Sequence, residues 1–168
     1  MTKLAKEFAP QNADFEVLAQ QVVVALNPTL EQIRGPSNEA GDDGLFRDTE
    51  TGQLTTVEAK HLRQQTALPQ KHIINVDEAA ARNEELYGVP SKRVIVTTSD
   101  SLTLGSKKKV KQIEAEGRQI EILNYRALHE ITKDPGTSPE LVQRIKASLN
   151  KKARRTKGPI SAEADEDV

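Results

Sequence analysis

Two short stretches hold the residue types that hydrolysis at phosphorus uses: Gly41-Asp42-Asp43-Gly44-Leu45-Phe46 and Val57-Glu58-Ala59-Lys60. On a β-strand, residues two apart share a face, so Glu58 and Lys60 point one way and Val57 and Ala59 the other. A hairpin whose turn is centred between Glu50 and Thr51 sets Asp43 opposite Glu58. Directly opposed residues hold their Cβ atoms roughly 4.5–5.5 Å apart, and two carboxylates that close repel unless a cation lies between them. A single bulged residue would break this register. Asp43 and Glu58 would then offer oxygen to a hard divalent cation, Mg²⁺ foremost and Mn²⁺ as the alternative. Such a cation polarises a phosphate and lowers the pKa of a bound water. Lys60 would orient that water or offset charge developing on phosphorus. The competing reading is a surface hairpin whose alternate polar residues face solvent.

The elements that must position these residues are legible in the pattern. Phe15, Leu18, Val22 and Leu26 recur at helical spacing, which predicts a helix over Asp14–Leu26 capped by Asn12 or Asp14 and ended by Asn27-Pro28. Leu30–Arg34 reads as a short strand or turn. Leu45-Phe46, the polar turn DTETG and the β-branched Thr55, Thr56 and Val57 predict the hairpin. Thr66–Leu86 reads as mostly helical, with a break at Leu68-Pro69 and a second start near Asn75-Val76-Asp77. Arg93–Ser99 is the continuous apolar run of a strand buried on both faces. A helix over Ser106–Glu116 closed by Gly117, a strand over Ile120–Leu123 and a short helix over Tyr125–Ile131 follow. Ser138-Pro139-Glu140 starts a last helix running to about Asn150. The order α-β-β-α-β-α-β-α predicts a three-layer α/β domain over residues 1–150 with a central mixed sheet flanked by helices. Residues 151–168 read as a disordered tail, basic and then acidic.

Composition removes several classes. With no cysteine, a disulfide scaffold, a thiolate zinc site and a cysteine nucleophile are excluded. No apolar run is long enough for a membrane span or a signal core, so no membrane partner is expected and the cytoplasm is the default compartment. The net charge of −1 hides a segregation: residues 1–100 carry 10 Lys/Arg against 15 Asp/Glu, residues 101–158 carry 14 against 6. A basic surplus of that kind suits a phosphate backbone. Its densest part, Lys107, Lys108, Lys109 and Lys111, opens a helix, where the macrodipole disfavours cations, so local stability does not explain it. The second cluster, Lys151, Lys152, Arg154 and Arg155, follows a helix end that favours cations, and the acidic stretch beyond it would screen that patch. Five aromatic residues are too few for base stacking along a single strand.

Thr97, Thr98 and Ser99 stand where a buried strand ends, the edge at which open α/β sheets bind ligands, so Thr98 and Ser99 are candidate phosphate contacts. The alternative is a polar strand terminus capping the next segment. His61 follows the Glu58–Lys60 strand and is either a phosphate contact or an exposed strand end. His72 and His129 are isolated, and no histidine pair has zinc-ligand spacing.

Together, GDDGLF…VEAK resembles the PD-(D/E)xK nuclease motif, and its setting is similar to the catalytic domain of Mrr-type restriction endonucleases. The matching pieces occur in order over about residues 14–131: Phe15-Glu16, Asp43-Gly44, Glu58-Ala59-Lys60, VIVTTS at Val94–Ser99, and the later IEILNYRALHEI. The resemblance implies a restriction-endonuclease-like fold and metal-dependent hydrolysis of DNA phosphodiester bonds. Asp43, Glu58 and Lys60 would stand at the metal-binding and catalytic positions, and Glu16 at a helical acid that supports the metal. It also implies a homodimer, since two active sites cut two strands, and duplex or branched DNA as substrate. Two departures stand out. Asp42 occupies the place of the motif's proline, which leaves Asp42 and Asp43 both open as the ligand, with Asp43 favoured by Gly44 and by the hairpin register. No separate recognition domain is seen beside the motif, which leaves restriction specificity open. A non-catalytic nucleic-acid-binding module on the same fold and an assembly protein that binds an acidic partner are the rival readings.

Overall fold

The apolar run around Val94 forms the middle of the molecule because its alternate side chains feed two separate cores. The computed structural model describes residues 3–36 and 41–150, with the side chains of the first helix from residue 14 onward. In chain order the elements are α1 (Lys3–Leu26), β1 (Leu30–Arg34), β2 (Gly44–Asp48), β3 (Leu54–Lys60), α2 (Gln70–Tyr87), β4 (Ser91–Thr97), α3 (Leu104–Ala115), β5 (Ile120–Leu123), α4 (Tyr125–Lys133) and α5 (Pro139–Asn150). The sheet has the order β1-β2-β3-β4-β5. Strands β1, β2 and β3 form an antiparallel meander, and β4 and β5 add in parallel, which makes the sheet mixed.

Val94 and Val96 join Phe46 and Val57 beneath Phe15, Leu18 and Val22 of α1, Leu128 of α4 and Ile145 of α5. Ile95 turns to the other side, onto Ile73 and Val76 of α2 and Ile113 of α3. Helices therefore cover both faces of the sheet, in three layers. Val22, Val57, Ile95 and Leu128 are fully buried, each contributing about 1.5–3 kcal/mol of transfer free energy. The exception within β4 is Arg93, at 1% exposure. Its Nε donates to Asp77 at 2.9 Å and one terminal nitrogen to Glu84 at 3.0 Å. A buried guanidinium persists only when carboxylates answer it this way.

The mixed sheet flanked by helices is the architecture the pattern predicts, with differences in detail. α1 begins at Lys3, so Asn12 and Asp14 lie inside the helix and not at its start. The expected second start near Asn75 is absent, because α2 is one helix from Gln70. Pro69 occupies its N-cap, while Leu68 pairs with Leu102 in a parallel bridge. In α3 the cap is Thr103, whose side chain accepts from the Ser106 N–H, and the lysines start only at the fourth helical position. The macrodipole argument against cations there is correspondingly weaker. The tail expected over residues 151–168 lies outside the described residues. No helix among the described residues is long and apolar enough to cross a membrane.

Candidate active site

The hairpin brings the two chemical stretches together, though not by the geometry the register alone suggests. Pairing runs Arg47 with Leu54, Phe46 with Thr55, Leu45 with Thr56 and Gly44 with Val57, the predicted register. Beyond Gly44 the ladder stops. The Asp43 N–H donates to the Val57 carbonyl at 2.8 Å, one position short of the opposite residue Glu58. Its carboxylate crosses to accept from the Ala59 N–H at 2.8 Å. Asp43 and Glu58 still meet, as hydrogen-bonding carboxyl neighbours, because the departure from the ladder turns the Asp43 side chain across the end of β3.

Asp43, Glu58 and Lys60 line one cleft of about 310 Å³ with Glu16, Phe15, Ala59, His61, His72 and Asn75. β3 pairs with β4 in parallel, Glu58 beside Ile95 and Lys60 beside Thr97, so both polar residues face the α2 side at the carboxyl end of the strand. Glu58 titrates far from the usual carboxylate range. Burial and then the adjacent Asp43 push its pKa up to about 9, with the Lys60 charge working the other way. Two carboxyls confined together share a proton in the absence of a positive charge between them.

Asp42 and Asp43 have different fates. Asp42 is 5% exposed and turns from the cleft to an ion pair with Arg34 at 2.6 Å. Asn83 Nδ2 donates to the same carboxylate at 3.1 Å and to Thr56 at 3.0 Å, and Arg34 closes the set by donating to Asn83 Oδ1 at 2.7 Å. That network anchors the turn that carries Asp43.

Two expected phosphate contacts, Thr98 and Ser99, are turned inward, while the third, His61, borders the cleft. Thr98 is 3% exposed; its Oγ1 accepts from the Leu62 N–H at 2.8 Å and donates to the Leu62 carbonyl at 2.5 Å. Ser99 is 1% exposed, and its Oγ donates to the Ser101 carbonyl at 2.9 Å. Thr98 fastens the loop after β3 to the end of β4, Ser99 closes the turn that follows β4, and neither hydroxyl is open to a ligand. His61 is half-buried, stacked on Phe15 with centroids 5.0 Å apart and its Nε2 3.3 Å from the Ser148 carbonyl. It ties α1 and α5 to the end of β3 while its edge borders the cleft. On α3, Lys107, Lys108 and Lys111 are exposed and Lys109 is partly so. The helix starts from the carboxyl end of β4, the same end of the sheet as the cleft.

His72 and Asn75 are cleft residues that the sequence did not flag. They enter because α2 starts at the cleft, and nothing in their spacing signals it. Among the described residues no group of three or more His, Asp or Glu side chains is arranged to hold a metal ion. The site thus rests on the Asp43–Glu58 pair, with Glu16 bordering the cleft.

No family model and no curated protein matches the chain. Among solved structures it is similar to the MspJI restriction endonuclease in complex with a 27-mer oligonucleotide. The TM-score is 0.57 and the identity 15%, over 95% of this chain and 37% of that one. Similarity extends to a complex of EndoMS with double-stranded DNA, at a TM-score of 0.43 and 20% identity over 63% of this chain and 43% of that one. A repair endonuclease from Pyrococcus abyssi gives 0.43 and 21% over 63% and 46%. The chain spans little more than a third of the length of the MspJI chain it matches. The likeness to MspJI is one of fold: the mixed five-stranded sheet with its flanking helices is a restriction-endonuclease-like fold.

Proposed function

From that fold and its cleft, we propose that the protein is a divalent-metal-dependent endonuclease that hydrolyses DNA phosphodiester bonds at Asp43, Glu58 and Lys60. The observation that carries the reading is the convergence of two carboxyls and a lysine at the carboxyl end of β3. Asp43 is fixed by the Ala59 N–H, and Glu58 is pushed up by burial and by having Asp43 beside it.

The donor set fits a hard cation. Mg²⁺ is commonly held by one or two carboxylates while keeping several waters, and two carboxyls confined together are what a cation would relieve. Mn²⁺ suits the same oxygen donors. Asp43 and Glu58 would hold the ion, with Glu16 supporting it across the cleft. When bound, the metal supplies Lewis-acid polarisation of a phosphoryl oxygen and a water of lowered pKa. The chain does the rest. The Ala59 N–H keeps one Asp43 oxygen aimed and leaves the other for the ligand. Glu58 would serve as a ligand in its carboxylate form, its proton lost to solvent. The Lys60 ammonium donates to the attacking water or to a non-bridging oxygen, where charge accumulates. Phe15 and the half-buried His61 wall off one side of the cleft. Lys107, Lys108, Lys109 and Lys111 would take the backbone of a duplex or branched substrate beyond the cleft, and two copies of the chain would cut both strands.

The test is cleavage of plasmid, linear, branched and single-stranded DNA, with RNA alongside, in Mg²⁺, Mn²⁺ or EDTA. Wild type should cut DNA only with metal, and Lys60→Ala should bind but cut at least 100-fold more slowly, about the lower end of what general acid–base and electrostatic groups contribute. Salt-sensitive binding with no cutting under any metal would mean a binding module on a nuclease fold.

A further inference from the structure

Asp43 is held at its N–H by Val57 and at its carboxylate by Ala59, both main-chain groups of β3. A third hold comes from a side chain outside the cleft lining. Gln20, one helical turn beyond Glu16 on α1 and 7% exposed, donates from Nε2 to the Asp43 main-chain carbonyl at 2.6 Å. The amide is itself oriented: its Oε1 accepts from Gln32 Nε2 of β1 at 3.2 Å. The chain of donors from Gln32 to Gln20 to Asp43 has one consistent direction.

Gly44 makes room for this arrangement. A β-carbon there would lie 2.5 Å from Gln20 Nε2 and closer still to Oε1. Gly44 is not among the positive-φ glycines, so its missing side chain answers a need for space and not a backbone conformation. Close packing does not force Gln20 into that position. Its other side borders a cavity of about 500 Å³ lined also by Gln32, Val24 and Phe46, which leaves the amide somewhere else to go. The hydrogen bond and Gln32 choose the rotamer.

We propose that Gln20 is a positioning residue that sets the Asp43 carboxylate for a divalent cation, and that Gly44 is the space reserved for its amide. The inference rests on the metal-dependent reading of the cleft and extends it to a part of the molecule that touches neither metal nor substrate. Residues that orient metal ligands in this way change metal affinity by roughly 10–100-fold when replaced.

The experiment measures Mn²⁺ affinity by titration calorimetry, with a thermal melt in EDTA beside each measurement. Gln20→Met keeps the volume and removes the donor; Gln20→Glu keeps the shape and sets an acceptor against a carbonyl. Both should weaken Mn²⁺ binding by about tenfold or more while melting cooperatively without metal. Gly44→Ala should lower Mn²⁺ affinity by displacing the amide. Gly44→Ala with Gln20→Ala should recover the melt but not the affinity, a split that packing alone does not produce. Should the Gln20 variants fail to fold, Gln32→Met removes the orienting donor and is expected to weaken Mn²⁺ binding in the same direction. A folded Gln20→Met or Gln32→Met that binds Mn²⁺ as wild type does overturns the inference and leaves the nuclease reading standing. Wild type that binds no Mn²⁺ removes the metal-dependent reading, and the role of Gln20 with it.

Discussion

Neighbouring aspartates in one turn, Asp42 and Asp43, divide structure from chemistry by where their carboxylates find partners. Asp42 meets Arg34 and Asn83 in the interior, so Asp42→Ala strands a guanidinium and should cost about 3 kcal/mol of stability, read by urea denaturation. Asp43 faces Glu58, and the pH dependence of that pair is a second expectation. The folded pKa of Glu58 is raised to about 9 from 4.5. Between those values the folded state keeps a proton that the unfolded state releases, so the Glu58 contribution to the stability of the metal-free protein is fully present below pH 4.5 and is lost as pH rises towards 9. Glu58→Gln should flatten that fall in a series of melts in EDTA. A wild-type melting temperature that rises across about pH 6–9 would contradict the assignment. At this scale the sequence revealed Glu58 and Lys60 through the period of two and drew Asp43 near them through the turn. It did not reveal that Asp43 leaves the ladder, because that depends on the hydrogen bonds from Gln20 and Ala59, partners remote in sequence. Thr98 and Ser99 looked like ligand hydroxyls because a strand end is the usual place for them, but Leu62 of the loop after β3 takes the first and Ser101 of the turn after β4 the second.

Among the elements, the hairpin and the β3–α2–β4 crossover do the positioning, and both were legible from local signals: the polar turn, the β-branched run and the apolar stretch at β4. Helix boundaries were less so. α1 runs upstream of its first apolar stripe, and α2 starts where Pro69 and the Leu68–Leu102 bridge allow, a tertiary contact no window of sequence contains. Arg93 falls within the run expected to be buried on both faces, but nothing in its neighbourhood names the carboxylates that answer it. Here it bridges Asp77 and Glu84 on α2, and Arg118 shares Asp77. Arg93→Ala should therefore cost about 3 kcal/mol, because it leaves Glu84 without its counter-charge and Asp77 with Arg118 alone at the α2–β4 seam. Equilibrium unfolding checks it, and a drop of less than about 1 kcal/mol would show that water replaces the guanidinium at little cost.

Across the whole molecule, acidic residues gather at the cleft and basic residues in the second half of the chain, and the fold sets the α3 lysines at the cleft end of the sheet. Under the proposed function that end carries the DNA. Affinity for a short duplex should then fall steeply with salt. Replacing Lys107, Lys108 and Lys111 together by alanine should make the log–log slope shallower by about 0.9 for each phosphate that is no longer neutralised. An unchanged slope would move the duplex to another surface. The overall architecture was the most legible feature in the sequence, because strand and helix periods survive where single residues mislead. The fold is shared with a much longer restriction endonuclease at 15% identity, so the activity of this chain has to be established at its own cleft.

Asp43 and Asp42 can be set against each other in a single assay: Mn²⁺-dependent cleavage of supercoiled plasmid by Asp43→Asn and by Asp42→Asn, each below its own melting temperature. If Asp43 holds the metal and Asp42 holds the turn, Asp43→Asn folds and binds DNA but does not nick it, whereas Asp42→Asn melts lower and still cuts. Cutting by Asp43→Asn at the wild-type rate, or cutting that persists in EDTA, would contradict a metal-dependent site built on Asp43.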